Sequence, residues 1–216
     1  MTAPPATPAG TPEENNVKDQ PYGSTTAVIV VDMQVDFGDP SGSLYVQDGE
    51  DLVAPVNALT AEVLSAGGKA YFTQDWHPEQ TPHFVTQGGI WPPHGVAGTP
   101  GAGLLAELVV NGPVVQKGAD GCDGYSGFSV RDPQTGATEA TVLGDWLRRD
   151  GVDRLVVVGL AGDYCVVETA VDAADLGFRV EMPLALTRFV GLHEGDDAKA
   201  VERARAAGVL VEGAWT

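Results

Sequence analysis

The stretch that decides the fold is "RLVVVGLAGDYCVVETAVDAADLGFRVEMP", residues 154–183. It begins with a short, β-branched apolar run (154–160), which is typical of a buried strand. Residues 163–177 then carry apolar side chains at helical spacing and end in glycine, as many helices do. "FRVEMP" (178–183) reads as a second strand. A strand, a helix and a strand in this order favour parallel pairing in an α/β fold.

The same alternation extends in both directions along the chain. Further strands are predicted at "TAVIVVDM" (26–33), "KAYFTQD" (69–75), "PVVQKG" (113–118) and "GVLV" (208–211). Further helices are predicted at "DLVAPVNALTAEVLSAGG" (51–68), "ATVLGDWLRRDG" (140–151) and "DDAKAVERARAAG" (196–208). The strands are apolar almost throughout, so both faces of the sheet must be covered. The sequence therefore predicts an α/β fold with a doubly wound, mainly parallel sheet and helices on both faces.

One domain is expected over residues 26–216, preceded by a tail. Residues 1–25 hold five of the fifteen prolines and almost no large apolar side chains. Such a segment cannot bury enough surface to offset the entropy lost on ordering. We therefore predict a disordered N-terminal tail over residues 1–25.

Charge and composition exclude several classes of partner. Thirty acidic and twelve basic residues give a formal net charge of −18, which disfavours binding to nucleic acids and anionic membranes. No apolar run is long enough to span a membrane, and no export signal is visible. Two cysteines without such a signal indicate reduced thiols in a cytoplasmic protein. A small-molecule substrate is expected, and a homo-oligomer is compatible with the sequence.

Polar residues that follow the predicted strands form a candidate catalytic set. Ligands of parallel α/β sheets bind outside the carboxyl ends of the strands, where Asp32, Lys117 and Cys165 are expected. A helix N-terminus at Cys165 would favour the nucleophilic thiolate, Asp32 could accept the thiol proton, and Lys117 could pair with either anion. Taken singly, each has a structural alternative. Cys165 could be a small apolar filler, Asp32 a helix cap and Lys117 a solvated side chain. Their occurrence together favours catalysis.

Three of the four histidines lie within eighteen residues, in "DWHPEQTPHF" (75–84) and "WPPHG" (91–95). Asp75 and His77 are two residues apart at a strand end, so their side chains point the same way. His83 and His94 follow on the next loop. One carboxylate with three imidazoles suits zinc, manganese or ferrous iron better than calcium or magnesium. The alternative is a set of loop residues satisfied by their neighbours.

Five segments together resemble the isochorismatase-like cysteine hydrolases, and within them the nicotinamidases, also called pyrazinamidases. They are "VIVVDMQVDF" (28–37), "DWHPEQTPHF" (75–84), "WPPHGVAGTPGA" (91–102), "QKGADGCDGYSGF" (116–128) and "VVGLAGDYCVVETA" (157–170). The resemblance implies the three-layer fold of that family, with Asp32 as base, Lys117 as orienting cation and Cys165 as nucleophile. It also implies a cis peptide bond after Leu160, and an oxyanion hole formed by the backbone amides of Ala161 and Cys165.

The resemblance further implies one metal ion, zinc, manganese or iron, held by Asp75, His77, His83 and His94 and facing the ring nitrogen of a pyridine. Aromatic side chains would enclose that ring, namely Phe37, Trp91, Tyr125 and Tyr164. Val35 and Tyr164 depart from the family pattern, which often has asparagine and histidine there. Neither Cys122 nor His193 matches a functional position.

The expected function is hydrolysis of nicotinamide to nicotinate and ammonia through a thioester, with pyrazinamide as a second substrate, in the salvage of pyridine nucleotides for NAD metabolism. Two alternatives remain at this point. One is another amide or ureide hydrolase of the same superfamily. The other is a catalytically idle relative that keeps the fold and a structural metal.

Overall fold

A computed structural model describes residues 22–213 of the chain. Its strands are β1 (Thr26–Val31), β2 (Lys69–Asp75), β3 (Val114–Lys117), β4 (Ser129–Arg131), β5 (Thr138–Ala140), β6 (Arg154–Leu160), β7 (Arg179–Pro183), β8 (Thr187–Arg188) and β9 (Leu210–Glu212). Its helices are α1 (Val35–Gly38), α2 (Val53–Ser65), α3 (Leu143–Arg149), α4 (Val167–Asp175) and α5 (Asp196–Ala206). Every strand and helix predicted from the sequence is present.

The central sheet has the strand order β3-β2-β1-β6-β7-β9, and β8 pairs with β6. All of these pairs are parallel. The prediction of a doubly wound, mainly parallel α/β fold is confirmed. The sequence did not indicate the two-residue strand β8 or the antiparallel β4–β5 hairpin, whose strands are three residues long and lie outside the core.

Alternation along the buried strands explains why they are apolar throughout. Ile29 of β1 and Val157 of β6 face a core shared with α3, α4 and α5. Val28 and Val156, their neighbours along the chain, face a second core shared with α2. Each strand thus buries apolar side chains on both faces, and the helices form the two outer layers.

The order of the strands places a ligand crevice between β1 and β6. From β1 the chain proceeds outward through β2 to β3, and from β6 it proceeds outward the other way through β7 to β9. Such a reversal opens a crevice at the carboxyl ends of the two central strands. Asp32 directly follows β1, and Cys165 lies in a π-helical turn (Gly162–Val166) that follows β6.

The predicted tail over residues 1–25 lies mostly outside the described residues. Its last four residues, 22–25, lead through a turn into β1, and Arg154 lies over the Tyr22 ring at 5.1 Å from the centroid. Within residues 22–213, no helix is long and apolar enough to cross a membrane. The expected cytoplasmic location stays a prediction.

Candidate active site

The three side chains predicted to be catalytic meet at the carboxyl edge of the sheet. The Lys117 Nζ lies 2.8 Å from Asp32 Oδ2 and 3.6 Å from Cys165 Sγ. All three residues are buried. The chain thus brings a thiol, a carboxylate and an ammonium from three different strand ends into direct contact.

Asp32 is held in its position by the neighbouring strand. Its φ of 46° lies in the left-handed region, which non-glycine residues rarely adopt. The Thr73 hydroxyl of β2 donates a hydrogen bond to Asp32 Oδ1 at 2.6 Å, and the Asp32 N–H donates to Thr73 Oγ1 at 3.2 Å. Thr73 therefore fixes both the backbone and the carboxylate of Asp32.

Burial shifts the pKa values of Cys165 and Asp32. Burial raises the pKa of Cys165 well above its ordinary value, and the opposing charge of Lys117 does not cancel the effect. Burial also raises the pKa of Asp32, which makes it a stronger proton acceptor. Burial thus favours a neutral Cys165 thiol beside the Asp32 carboxyl group. Burial opposes the tendency toward thiolate that a helix N-terminus is expected to give Cys165.

The backbone around the nucleophile has the cis peptide bond that the family resemblance implied, between Leu160 and Ala161. The Ala161 carbonyl accepts hydrogen bonds from the N–H groups of Tyr164 at 3.1 Å and Val166 at 3.0 Å. These bonds close the turn that carries Cys165. The oxyanion-hole role of the Ala161 and Cys165 amides stays a prediction.

The three clustered histidines meet beside the triad. His77, His83 and His94 are buried, and one nitrogen of each lies within 4.8 Å of those of the others. The His94 Nδ1 lies 2.7 Å from the Pro92 carbonyl, which can only accept, so Nδ1 carries the proton and Nε2 keeps its lone pair. Burial lowers the pKa of His94 to about 4, which keeps the ring neutral. A neutral imidazole is the form that binds metal ions.

Asp75 links the histidines to the triad. Its Oδ2 lies 3.9 Å from the Nε2 atoms of both His77 and His94, while its Oδ1 accepts a hydrogen bond from Lys117 Nζ at 2.5 Å. Burial favours the neutral acid, yet Lys117 holds the pKa of Asp75 below its ordinary value. The cluster thus offers imidazole nitrogens and an ionised carboxylate, a donor set that suits a divalent transition metal.

A pocket of about 460 Å³, including its open mouth, lies above the triad and the histidines. The four aromatic residues predicted to bind substrate all line it. The Trp91 indole N–H donates to Tyr125 Oη at 2.9 Å, and the Tyr164 ring meets the Trp91 ring edge-on at 5.0 Å. The Phe37 ring tilts against His94 at 5.4 Å. The pocket has the flat apolar walls that a small aromatic ligand requires.

Sequence reasoning missed several residues that support the site. Besides Thr73, the Gln34 side-chain amide accepts from the Asp75 N–H at 2.7 Å and donates to the Asp75 carbonyl at 2.9 Å. Asp123 Oδ1 lies 2.7 Å from His83 Nδ1. The only sequence signal for Gln34 and Asp123 was their place inside the quoted motifs. His193 is exposed and Cys122 is half-buried, and neither lines the pocket.

The chain is similar to known proteins over most of its length. The family model for the isochorismatase domain matches residues 26–211. The nicotinamidase/pyrazinamidase of Mycobacterium tuberculosis is 36% identical over 188 residues, which cover 85% of this chain and 96% of that protein.

Two solved structures share the fold closely. One is PnC1 from L. infantum in complex with nicotinate, with 38% identity, a TM-score of 0.79, and coverage of 89% of this chain and 95% of that one. The other is the pyrazinamidase of Pyrococcus horikoshii in complex with zinc, with 34% identity, a TM-score of 0.77, and coverage of 88% and 99%.

Proposed function

The chain belongs to the isochorismatase family, and from this membership and the geometry of the site we propose that it is a nicotinamidase, an amidohydrolase that converts nicotinamide to nicotinate and ammonia. Pyrazinamide, which differs from nicotinamide by one further ring nitrogen, is expected to be a second substrate. One observation carries the proposal: Lys117 Nζ contacts both Asp32 and Cys165, at 2.8 and 3.6 Å, at the base of an aromatic pocket.

The first half of the reaction forms a thioester. Asp32 takes the proton of the Cys165 thiol as the sulfur attacks the carboxamide carbon, and the Lys117 ammonium stabilises the sulfur as charge develops on it. The carbonyl oxygen becomes an oxyanion, toward which the amides of Ala161 and Cys165 are proposed to donate. The intermediate collapses by breaking its C–N bond. Asp32 returns the proton to the leaving nitrogen, so ammonia departs.

The second half releases the acid. A water molecule adds to the thioester carbon while Asp32 accepts one of its protons. The C–S bond then breaks, the sulfur regains a proton from Asp32, and nicotinate is freed. The overall balance is one amide and one water consumed, and one carboxylic acid and one ammonia formed.

Asp75, His77, His83 and His94 are proposed to hold one divalent ion, which when bound supplies a Lewis-acid site for the ring nitrogen of the substrate. Zinc, manganese and iron all fit this donor set. The aromatic side chains would hold the ring so that its carboxamide faces Cys165. Orientation of this kind raises the rate because the reacting atoms start close together.

The proposal is tested by ammonia release from nicotinamide, pyrazinamide and a panel of ureides, with the Cys165→Ala variant as control. We expect turnover of the two aromatic amides and a loss of activity in Cys165→Ala without a change in circular dichroism. Faster turnover of a ureide would instead favour another hydrolase of the superfamily. No turnover of any substrate, together with a Cys165 thiol that iodoacetamide does not alkylate, would indicate an idle binding protein.

A further inference from the structure

Two loops form part of the pocket wall, and two polar contacts join them. The histidine loop (residues 77–94) carries the three imidazoles and Trp91. The tyrosine loop (residues 118–125) follows Lys117 and ends at Tyr125. Asp123 Oδ1 lies 2.7 Å from His83 Nδ1, and the Trp91 indole N–H donates to Tyr125 Oη at 2.9 Å. One contact lies at the imidazoles and the other at the aromatic wall.

The backbone of Asp123 is attached to the strand that follows it in the chain. Its backbone N–H donates to the Arg131 carbonyl at 2.6 Å, and the Arg131 N–H donates back to the Asp123 carbonyl. These two bonds attach the loop to strand β4. The Gly124 N–H also donates to Asp123 Oδ1 at 2.7 Å. The β4–β5 hairpin thus holds the Asp123 backbone, while Gly124 N–H and His83 hold its carboxylate.

The contact determines which nitrogen of His83 is left to bind an ion. An ionised carboxylate only accepts hydrogen bonds, so His83 Nδ1 must carry a proton, and in the neutral ring Nε2 keeps its lone pair. The Pro92 carbonyl does the same for His94. By contrast, His77 Nδ1 has no hydrogen-bond partner among residues 22–213. A carboxylate that holds the far nitrogen of a histidine ligand fixes its tautomer and ring orientation, and its removal typically weakens ion binding roughly 10- to 100-fold.

We propose that Asp123 is a positioning residue for the ion-binding cluster, and that ion binding orders the tyrosine loop through the contact between His83 and Asp123. An ion that immobilises the His83 ring also immobilises the carboxylate bonded to it. Tyr125 lies two residues further along the same loop, so the aromatic wall becomes better defined when the ion is bound. The proposal rests on the metal site of the proposed function, but not on the identity of the substrate.

The first test measures Zn²⁺ affinity by chelator competition on the metal-free, full-length protein. Asp123→Ala should bind Zn²⁺ roughly 10- to 100-fold more weakly than wild type. Asp123→Asn should recover most of that loss, because its amide oxygen can still accept the His83 proton. Asp120→Ala is the matched control, because Asp120 is an exposed acid on the same loop. Affinity within threefold of wild type in Asp123→Ala, or an equal loss in Asp120→Ala, would overturn the proposal.

The second test measures hydrogen–deuterium exchange with and without Zn²⁺. In wild type, the ion should slow exchange in both the histidine loop and the tyrosine loop. In Asp123→Ala, at a Zn²⁺ concentration that saturates the site, protection should persist in the histidine loop and disappear from the tyrosine loop. Protection of both loops in the variant would refute the coupling. A wild-type protein that does not bind Zn²⁺ or Mn²⁺ would refute the metal site itself, an outcome distinct from failure of the Asp123 contact.

Discussion

Lys117 Nζ lies 2.5 Å from Asp75 Oδ1, and this contact joins the candidate metal ligands to the candidate catalytic triad. The sequence predicted Asp75 only as a metal ligand. In the structure its other oxygen, Oδ2, faces His77 and His94 at 3.9 Å. One carboxylate thus serves both parts of the site, so removing Asp75 and removing a histidine should have different consequences.

The first prediction compares the variants Asp75→Asn and His94→Ala, both prepared free of metal. Both should bind added Zn²⁺ more weakly than wild type, because each lacks a proposed ligand. Only Asp75→Asn should change the pH dependence of Cys165 alkylation by iodoacetamide. The Asp75 carboxylate contributes to the raised pKa of Cys165, so its loss should move alkylation to lower pH. Identical alkylation profiles in Asp75→Asn and wild type would contradict the link through Lys117.

The second prediction concerns Lys117, whose positive charge lowers the pKa of Cys165 against the larger effect of burial. Lys117→Met should therefore move alkylation of Cys165 to higher pH. It should also reduce turnover roughly 10²-fold or more, as the loss of a preorganised charge does in other active sites. Because two buried carboxylates lose their cation, circular dichroism must accompany the assay. Lys117→Arg is the control that keeps the charge, and a wild-type alkylation profile in Lys117→Met would exclude the proposed role.

The triad could be predicted from the ends of the strands because β1 and β6 are marked by unbroken apolar runs and β3 by a shorter one, so their ends can be located along the chain. Asp32 and Lys117 directly follow or close such runs, and Cys165 lies in the turn after the third. Thr73 escaped notice because it lies inside β2, where a hydroxyl resembles an ordinary strand residue. Its contact with Asp32 depends on the register between β1 and β2, which pairs Ile29 with Tyr71 and which periodicity does not encode.

Asp123 was missed for a different reason. It lies on a loop that is positioned by backbone hydrogen bonds to β4. The strands of the β4–β5 hairpin are too short and too polar to be recognised from the sequence. The raised pKa of Cys165 was also not foreseeable from the sequence, because it depends on how completely the thiol is buried. Fold and catalytic residue types thus followed from local pattern, whereas supporting contacts and protonation required the tertiary structure.

The third prediction uses a matched pair of glycines on the tyrosine loop. Gly118 and Gly121 both have positive φ, at 81° and 76°, so alanine strains the backbone similarly at either position. A Cβ at Gly118 would lie 2.4 Å from His77 Nδ1, whereas one at Gly121 would meet nothing within 4 Å. Gly118→Ala should therefore displace His77 and weaken Zn²⁺ binding at least roughly tenfold, as loss of a ligand's support does. Equal Zn²⁺ affinities of the two variants would show that His77 is not constrained by Gly118.

The fourth prediction concerns where the N-terminal tail can be removed. Residues 1–21 are polar and proline-rich, so their deletion should leave the melting temperature nearly unchanged. Deleting residues 1–24 also removes Tyr22, whose ring packs against Arg154 at 5.1 Å and against the α2-side core. A cation–π contact contributes about 0.5–2 kcal/mol, so this deletion should lower the melting temperature by about 1–8 °C. Tyr22→Ala in the full chain should reproduce that loss, and equal stability of both deletions would contradict it.

The fifth prediction separates substrate orientation from activation of the nucleophile. Benzamide has the ring and carboxamide of nicotinamide but lacks the ring nitrogen that the metal ion is proposed to bind. It should be a poor substrate, and removal of the metal should change its turnover little. Nicotinamide turnover should fall on metal removal, chiefly through a higher KM, because the ring is no longer held in place.

His77→Ala should behave like metal-free wild type while its Cys165 is alkylated at close to the wild-type rate, because His77 does not contact the triad thiol. Metal-free protein that hydrolyses nicotinamide as fast as the metal-loaded form would show that the histidine cluster has no part in the reaction.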